Sequence, residues 1–314
     1  MIELEDLAKT YPDGYPALRG VSLRLDRGMF GLLGHNGAGK TTLLSILVLG
    51  LEPSSGRRTY DGLDPGKAAD RAVIRSRIGY LPQDYHPLGT LTGREYLLHC
   101  ARLRRVALRG TALRRHVDDL LEAVGLETAA HRRSGGYSGG MRRRLGIAQA
   151  LIHSPRLLVV DEPTAGLDPE ERIRFRGLIS DVAERTAVLL STHIVEDVEA
   201  TCPRLAVIAR GRLLFDDTPT ELLRRADGRL WRMPAGETIP PGALEVSYRA
   251  DRQRDSPSPP ARGRGPGRGG MGSNVERIVY SETPVPGAQP RETGLEEAYA
   301  AFLALQTPQT QDAA

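Results

Sequence analysis

A chain of 314 residues, 40% of them hydrophobic, can bury a large core and predicts more than one domain. Its formal net charge is only +4. The longest apolar stretch, Leu43 to Leu51, is interrupted by Ser45 and Gly50 and falls far short of the roughly twenty residues that a spanning helix needs. Glu3, Glu5 and Asp6 break any secretory segment after Met1, and two cysteines, Cys100 and Cys202, make neither a disulfide framework nor a metal set, so a soluble cytosolic chain is expected.

In chain order, Ile2-Glu3-Leu4-Glu5-Asp6-Leu7 alternates and Val21-Ser22-Leu23-Arg24-Leu25 alternates again, predicting strands and turns in the first forty residues. The run Met29-Phe30-Gly31-Leu32-Leu33 reads as a buried strand and Thr42 to Leu47 as a helix. Between them, Gly34-His35-Asn36-Gly37-Ala38-Gly39-Lys40-Thr41-Thr42 fits the phosphate loop G-x-x-x-x-G-K-[ST] at every fixed position. Its glycines let backbone N–H groups wrap a polyphosphate, and the helix N-terminus adds partial positive charge. Lys40 is placed to reach the β- and γ-phosphates and the Thr41 hydroxyl to ligate Mg²⁺. This stretch predicts binding of a nucleoside triphosphate.

Arg77 to Leu81 is strand-like and leads to Gln83. Beyond it, Leu97, Leu98, Ala101, Leu108, Leu113, Val117, Leu120, Leu121 and Val124 recur at helical spacing, predicting a helical subdomain over about 84–150. The same segment is rich in arginine, from Arg94, Arg102, Arg104, Arg105, Arg109, Arg114 and Arg115 to Arg132 and Arg133. Such a face suits anionic lipid headgroups or acidic partner loops, and equally reads as an ordinary solvated face. Without interleaved rings it does not point to nucleic acid. Tyr137-Ser138-Gly139-Gly140-Met141-Arg142-Arg143-Arg144 then opens a helix running to Leu151, with Ser138 as its N-cap.

Leu157-Leu158-Val159-Val160 predicts a central strand with Asp161 at its carboxyl end, where ligands of an open α/β sheet collect. Asp161 is therefore a candidate Mg²⁺ holder. Glu162, pointing the other way along the strand, is a candidate for orienting the attacking water and accepting its proton. Asp168 precedes Pro169 as a helix cap, Ala187 to Thr192 reads as a strand before His193, and Arg204 to Phe215 as a hairpin. A helix begins at Thr218-Pro219, and the first domain is expected to end near Ala226. A module over 227–306 follows, with short strand-like pieces and an amphipathic helix from Leu295 to Leu303. Its Pro/Arg/Gly-rich segment 251–273 and the tail 307–314 are expected to be disordered.

Taken together, the order and spacing of these motifs resemble the nucleotide-binding subunit of an ATP-binding cassette (ABC) transporter over roughly residues 1 to 225. The resemblance implies an α/β fold. It would comprise a P-loop NTPase (RecA-like) core, a flanking antiparallel β subdomain, the inserted helical subdomain and a small α+β C-terminal module. It implies that Gln83 senses Mg²⁺ and the attacking water, that His193 contacts the γ-phosphate and that Tyr11 stacks on adenine. Ala165-Gly166-Leu167-Asp168 would then communicate across a dimer. The family signature reads Leu-Ser-Gly-Gly-Gln; here Tyr137 and Met141 stand at its outer positions, while Ser138, Gly139 and Gly140 are kept to contact the γ-phosphate.

One phosphate loop and one signature per chain imply a head-to-tail homodimer or heterodimer with ATP between its subunits. The further implications are Mg²⁺ as cofactor, a separate membrane permease and no specific nucleic acid. The chain would sit peripherally on the cytoplasmic face of the cell membrane. The signature and the tail module resemble the drug and antibiotic exporter branch; a ribosome- or DNA-associated soluble ATPase and an importer ATPase are the alternatives.

Overall fold

A computed structural model describes residues 1–234, 236–249 and 276–306. The chain divides into two compact units, Met1–Pro219 and Thr220–Ala314. The division falls one helix ahead of Ala226. Segment 251–273 and the tail 307–314, expected from composition to be disordered, lie outside the described residues.

The first unit opens with β1 (Ile2–Thr10), β2 (Pro16–Leu25), β3 (Met29–Leu33), α1 (Lys40–Leu47), β4 (Ser55–Tyr60), α2 (Ala68–Ser76) and β5 (Ile78–Leu81). The helices α3 (Gly93–Leu103), α4 (Gly110–Ala123) and α5 (Gly139–Leu151) come next. It closes with β6 (Leu157–Asp161), α6 (Pro169–Ala183), β7 (Ala187–Thr192), α7 (Val195–Thr201), β8 (Arg204–Ala209) and β9 (Arg212–Asp217). Six strands form the central sheet in the order β5-β6-β7-β3-β8-β9, parallel except for β9 at one edge. Every residue of β3 and β6 is buried, as a parallel strand covered on both faces requires; this is why both read as unbroken apolar runs. Leu32, Leu43, Leu44, Leu47, Val159, Leu189 and Ala206 share one core around this sheet.

An antiparallel sheet, β2-β1-β4, lies beside it and contributes Leu4, Leu7, Val21, Leu23 and Leu25 to the same core. The register slips between Leu4 and Leu7, and Asp6 takes φ 45° there. That bulge turns both Glu5 and Asp6 to solvent and lets Leu7 return inward. Helices α3, α4 and α5 pack together in the predicted insertion, and Leu97, Val117, Leu121 and Leu145 on them are buried. Thr92 and Glu95 close a capping box at the start of α3. Strand β4 and helix α2, unread in the sequence, complete this unit.

The second unit contains α8 (Pro219–Ala226), β10 (Leu230–Pro234), β11 (Leu244–Arg249), β12 (Glu276–Tyr280), β13 (Gln289–Pro290) and α9 (Leu295–Leu305). Its antiparallel sheet runs β11-β12-β10-β13. Leu230, Ile278 and Tyr280 pack with Ala301 of α9, while Met233, Val279 and Val285 form a second small cluster. Among the described residues, no helix is long and apolar enough to cross a membrane.

Candidate functional site

The chain leaves β3 at Leu33 and turns through Gly34 to Gly39 into α1, at the carboxyl end of the central sheet. Gly39 takes φ 108°, and a Cβ there would stand 2.8 Å from the Ala17 carbonyl oxygen, so no other residue fits. No side chain caps α1, which leaves its first N–H groups facing the loop. Lys40 is 5% exposed and folds back over the loop. Its Nζ donates to the carbonyls of Gly34 at 2.5 Å and His35 at 3.3 Å. The same Nζ lies 3.1 Å from Glu162 Oε1.

A cleft of about 350 Å³ opens over this loop, lined by His35, Asn36, Gly37, Gly39, Lys40, Thr41 and Thr42 together with Tyr15, Ala17, Gln83 and Glu162. A larger cleft of about 960 Å³ lies at the opposite, amino-terminal edge of the sheet, beside Ile78, Leu157 and Ala187; it holds none of these residues.

The acidic side of the site comes from β6. Asp161 is 1% exposed and accepts a hydrogen bond from Thr41 Oγ1 at 3.3 Å through Oδ2. Burial, reinforced by the neighbouring Glu162 charge, pushes its carboxyl above the ordinary range. Oδ1 is buried with no hydrogen-bond partner, as is the hydroxyl of Ser191, opposite it on β7. An orphaned carboxylate oxygen next to a threonine hydroxyl, with the Gln83 side chain in the same cleft, is a donor set suited to a hard cation such as Mg²⁺. Among the described residues there is no group of three or more His, Cys, Asp or Glu able to hold a metal unaided. A cation here would therefore need phosphate oxygens as well.

Glu162 begins the loop after β6 at φ 47°, a left-handed conformation rare outside glycine, and its N–H donates to Ser191 O at 2.9 Å. It is 3% exposed. Its Oε2 is 2.6 Å from His193 Nδ1, so Lys40, Glu162 and His193 form one chain of contacts across the cleft floor. Six residues proposed from the sequence (Lys40, Thr41, Gln83, Asp161, Glu162 and His193) are thus brought together. Others are not. Ser138, Gly139 and Gly140 do not line this cleft; Ser138 caps α5 by accepting the Met141 N–H at 3.1 Å. Asp168 likewise caps α6, accepting the Glu171 N–H at 2.8 Å. Tyr11 places its hydroxyl 3.2 Å from Thr42 Oγ1, with Lys9 Nζ 5.8 Å above its ring, while the cleft wall itself is Tyr15, 54% exposed.

Two residues escaped the sequence reading. Arg143 donates from Nη1 to Glu162 O and from Nη2 to Ala165 O, each at 2.7 Å, tying α5 to the loop after β6. Burial holds its pKa below the usual arginine value. In the sequence it sits between two more arginines and reads as a charge run. In the fold the three diverge, Arg142 to Tyr137 O at 2.7 Å and Arg144 toward Glu171 at 3.5 Å. Asp197, 1% exposed on α7, accepts from the Thr164 hydroxyl and from Arg176 Nε at 2.8 Å. It joins the segment after Glu162 to the helix after His193, and no spacing rule marks it.

Residues 18–165 match the sequence profile of the ABC transporter family. YxlF, an uncharacterized ABC transporter ATP-binding protein of Bacillus subtilis (strain 168), is 35% identical over 249 residues, covering 79% of this chain and 81% of YxlF. ABC transporter A family member 5 of Arabidopsis thaliana is 40% identical over 235 residues. That match covers 72% of this chain but 25% of the plant protein, so the chain spans about a quarter of that relative's length. Among solved structures, MJ0796, described as a dimeric bacterial ABC transporter cassette, superposes with a TM-score of 0.63 at 26% identity, over 69% of this chain and 98% of that one.

Proposed function

The chain belongs to the ABC transporter ATP-binding proteins, a family of ATPases, and we propose that it is the energy-coupling subunit of an exporter for a drug, antibiotic or other hydrophobic compound. The observation that carries the catalytic part is the Lys40–Glu162–His193 chain of contacts beside Thr41 and Asp161. In this arrangement the Lys40 ammonium is engaged by Glu162 and the Gly34 carbonyl. A bound triphosphate competes for that ammonium through its β- and γ-oxygens. Glu162 then loses its cation, keeps its contact with His193, and is free to orient a water and take its proton. Thr41, Asp161 through its free Oδ1, and Gln83 would hold Mg²⁺, whose charge neutralises that developing on the phosphates.

In this reading the cleft of one chain does not complete the site, since none of the signature residues lines it. Ser138, Gly139 and Gly140 stand away from their own cleft, at the start of a helix whose N-terminus favours an anion. They are therefore offered to a second chain, giving a head-to-tail dimer, with itself or a related subunit, around two ATP molecules. A separate membrane permease would convert dimer closure and reopening into transport, holding the chain on the cytoplasmic face of the membrane. The Tyr137 and Met141 signature and the extra C-terminal unit support the exporter branch over an importer.

The test uses Glu162→Gln, which keeps the shape but removes the base; turnover should fall on the order of 10²- to 10⁴-fold. Tagged and captured from detergent-solubilised membranes with ATP, this variant should bring down a polytopic membrane protein. Recovery of ribosomes or nucleic acid with no membrane protein would overturn the reading.

A further inference from the structure

The tip of the helical insertion, between α3 and α4, carries a basic and apolar surface that nucleotide chemistry does not use. Helix α3 ends in a turn closed by two backbone bonds, Arg105 N–H to Arg102 O at 3.1 Å and Val106 N–H to Ala101 O at 2.9 Å. Arg105 takes the left-handed position, φ 53°, that glycine usually fills in such a cap. The turn is thus fixed by its backbone, and the side chains it projects have a defined direction.

Leu103 is 69% exposed, more than any other large hydrophobic side chain among the described residues, and Leu108 across the turn is 38% exposed. Arg102, Arg104 and Arg105 flank them, all exposed, and none forms an ion pair with a described residue. No carboxylate occurs between Glu95 and Asp118, a stretch that holds six arginines. Four of those six, Arg102, Arg104, Arg105 and Arg109, lie in the tip itself.

We propose that this tip is a membrane-surface contact. Leu103 and Leu108 enter the headgroup layer of an anionic bilayer while the surrounding guanidinium groups pair with lipid phosphates. Two kinds of complementarity favour that occupant. Planar guanidinium forks match phosphate oxygens and make no demand on sequence or fold. Exposed leucines ringed by cations are the composition of an interfacial anchor, whereas a nucleic acid site would reward aromatic rings, which the tip lacks. The proposal is independent of the exporter reading, since it requires neither ATP nor a permease.

The experiment is sedimentation of the purified full-length chain, without nucleotide, on vesicles of phosphatidylcholine alone or with roughly one third phosphatidylglycerol. Binding should be confined to the anionic vesicles and weaken with added salt. The triple variant Arg102→Gln, Arg104→Gln, Arg105→Gln should bind on the order of 100-fold more weakly, about five-fold per charge. Leu103→Ser with Leu108→Ser should lose about ten-fold. Ile173→Ser, a control at a 68% exposed side chain on α6, should change nothing, and ATP turnover should be unaltered in all three. Equal binding by wild type and both tip variants would overturn the proposal. So would capture by acidic polypeptide or by RNA in place of the vesicles. Because turnover is read separately, a failure here is distinct from a failure of the ATPase reading.

Discussion

Replacing Arg143 with alanine tests whether the helix that opens at Ser138 holds Glu162, the proposed general base, in place. The two hydrogen bonds that would be lost, to Glu162 O and Ala165 O, are both 2.7 Å long and come from a charged donor. Each is worth about 1.5–3 kcal/mol when shielded from water. The guanidinium is half-buried, so water recovers part of this, and the unit should lose about 2–3 kcal/mol of stability in total.

The local consequence is larger. Glu162 sits at φ 47°, which costs an ordinary residue about 1–2 kcal/mol, and Arg143 grips the carbonyl of that same residue. Once released, the backbone can relax and carry the carboxylate with it. A displacement of about 1 Å is enough to lower kcat on the order of 100-fold. In the proposed site ATP is held by Lys40, Thr41 and the loop amides, to which Arg143 makes no bond, so KM should stay within about two-fold. Arg143→Lys retains a cation but replaces the fork with a single ammonium, and should fall about ten-fold, between the two. Steady-state ATPase assays across ATP concentration, paired with direct nucleotide binding, give both constants. An unchanged kcat, or a rise in KM at constant kcat, would refute the positioning role.

Three further outcomes follow from the same geometry. The Asp161 carboxyl is pushed up by burial, so the folded chain keeps that proton to higher pH than the unfolded chain does. Its contribution to stability is then most favourable below the ordinary carboxylate range and declines as pH rises through it. Asp161→Asn should accordingly melt higher than wild type without nucleotide, by a margin that grows from acid to neutral pH, while losing Mg²⁺-dependent stabilisation by ATP; a constant or reversed margin contradicts this. Tyr15→Ala, which removes the ring in the cleft wall, should weaken ATP binding about three- to ten-fold, whereas Tyr11→Phe, losing only the hydroxyl near Thr42, should retain it; an equal loss in Tyr11→Phe would assign the effect to Thr42 instead. Asp197→Ala leaves the half-buried Arg176 guanidinium and the buried Thr164 hydroxyl without their partner and should cost about 2–3 kcal/mol, read as a lower thermal midpoint.

What could be read from the sequence depended on how locally each function is encoded. The phosphate loop needs glycines, a lysine and a threonine within nine consecutive positions between a strand and a helix, and all of that is visible in one line of residues. Asp161 and Glu162 were legible because a fully buried parallel strand announces its own carboxyl end. Arg143 and Asp197 were not, because each acts on backbone or side chains from other elements. Arg143 reaches across 19 residues to Glu162, and Asp197 across 33 to Thr164. A helix also hides which of three successive arginines faces inward until its neighbours are placed.

The departure at Tyr137 shows the same limit from the other side. A tyrosine is accommodated there because Gly93, at the start of α3, has no Cβ; one built there would lie 2.3 Å from the Tyr137 hydroxyl, which donates instead to Ala129 O at 2.8 Å. The substitution is thus paired with a glycine 44 residues earlier, and it leaves the backbone of Ser138 to Gly140 free to begin α5. A capped helix start with a glycine pair, set apart from the cleft of its own chain, favours an anion, and here the carboxylate of Glu171 lies against Gly140, 3.5 Å from Arg144. A γ-phosphate held by a second chain would compete with that carboxylate for the helix start, and this is the physical ground on which the proposed dimer rests.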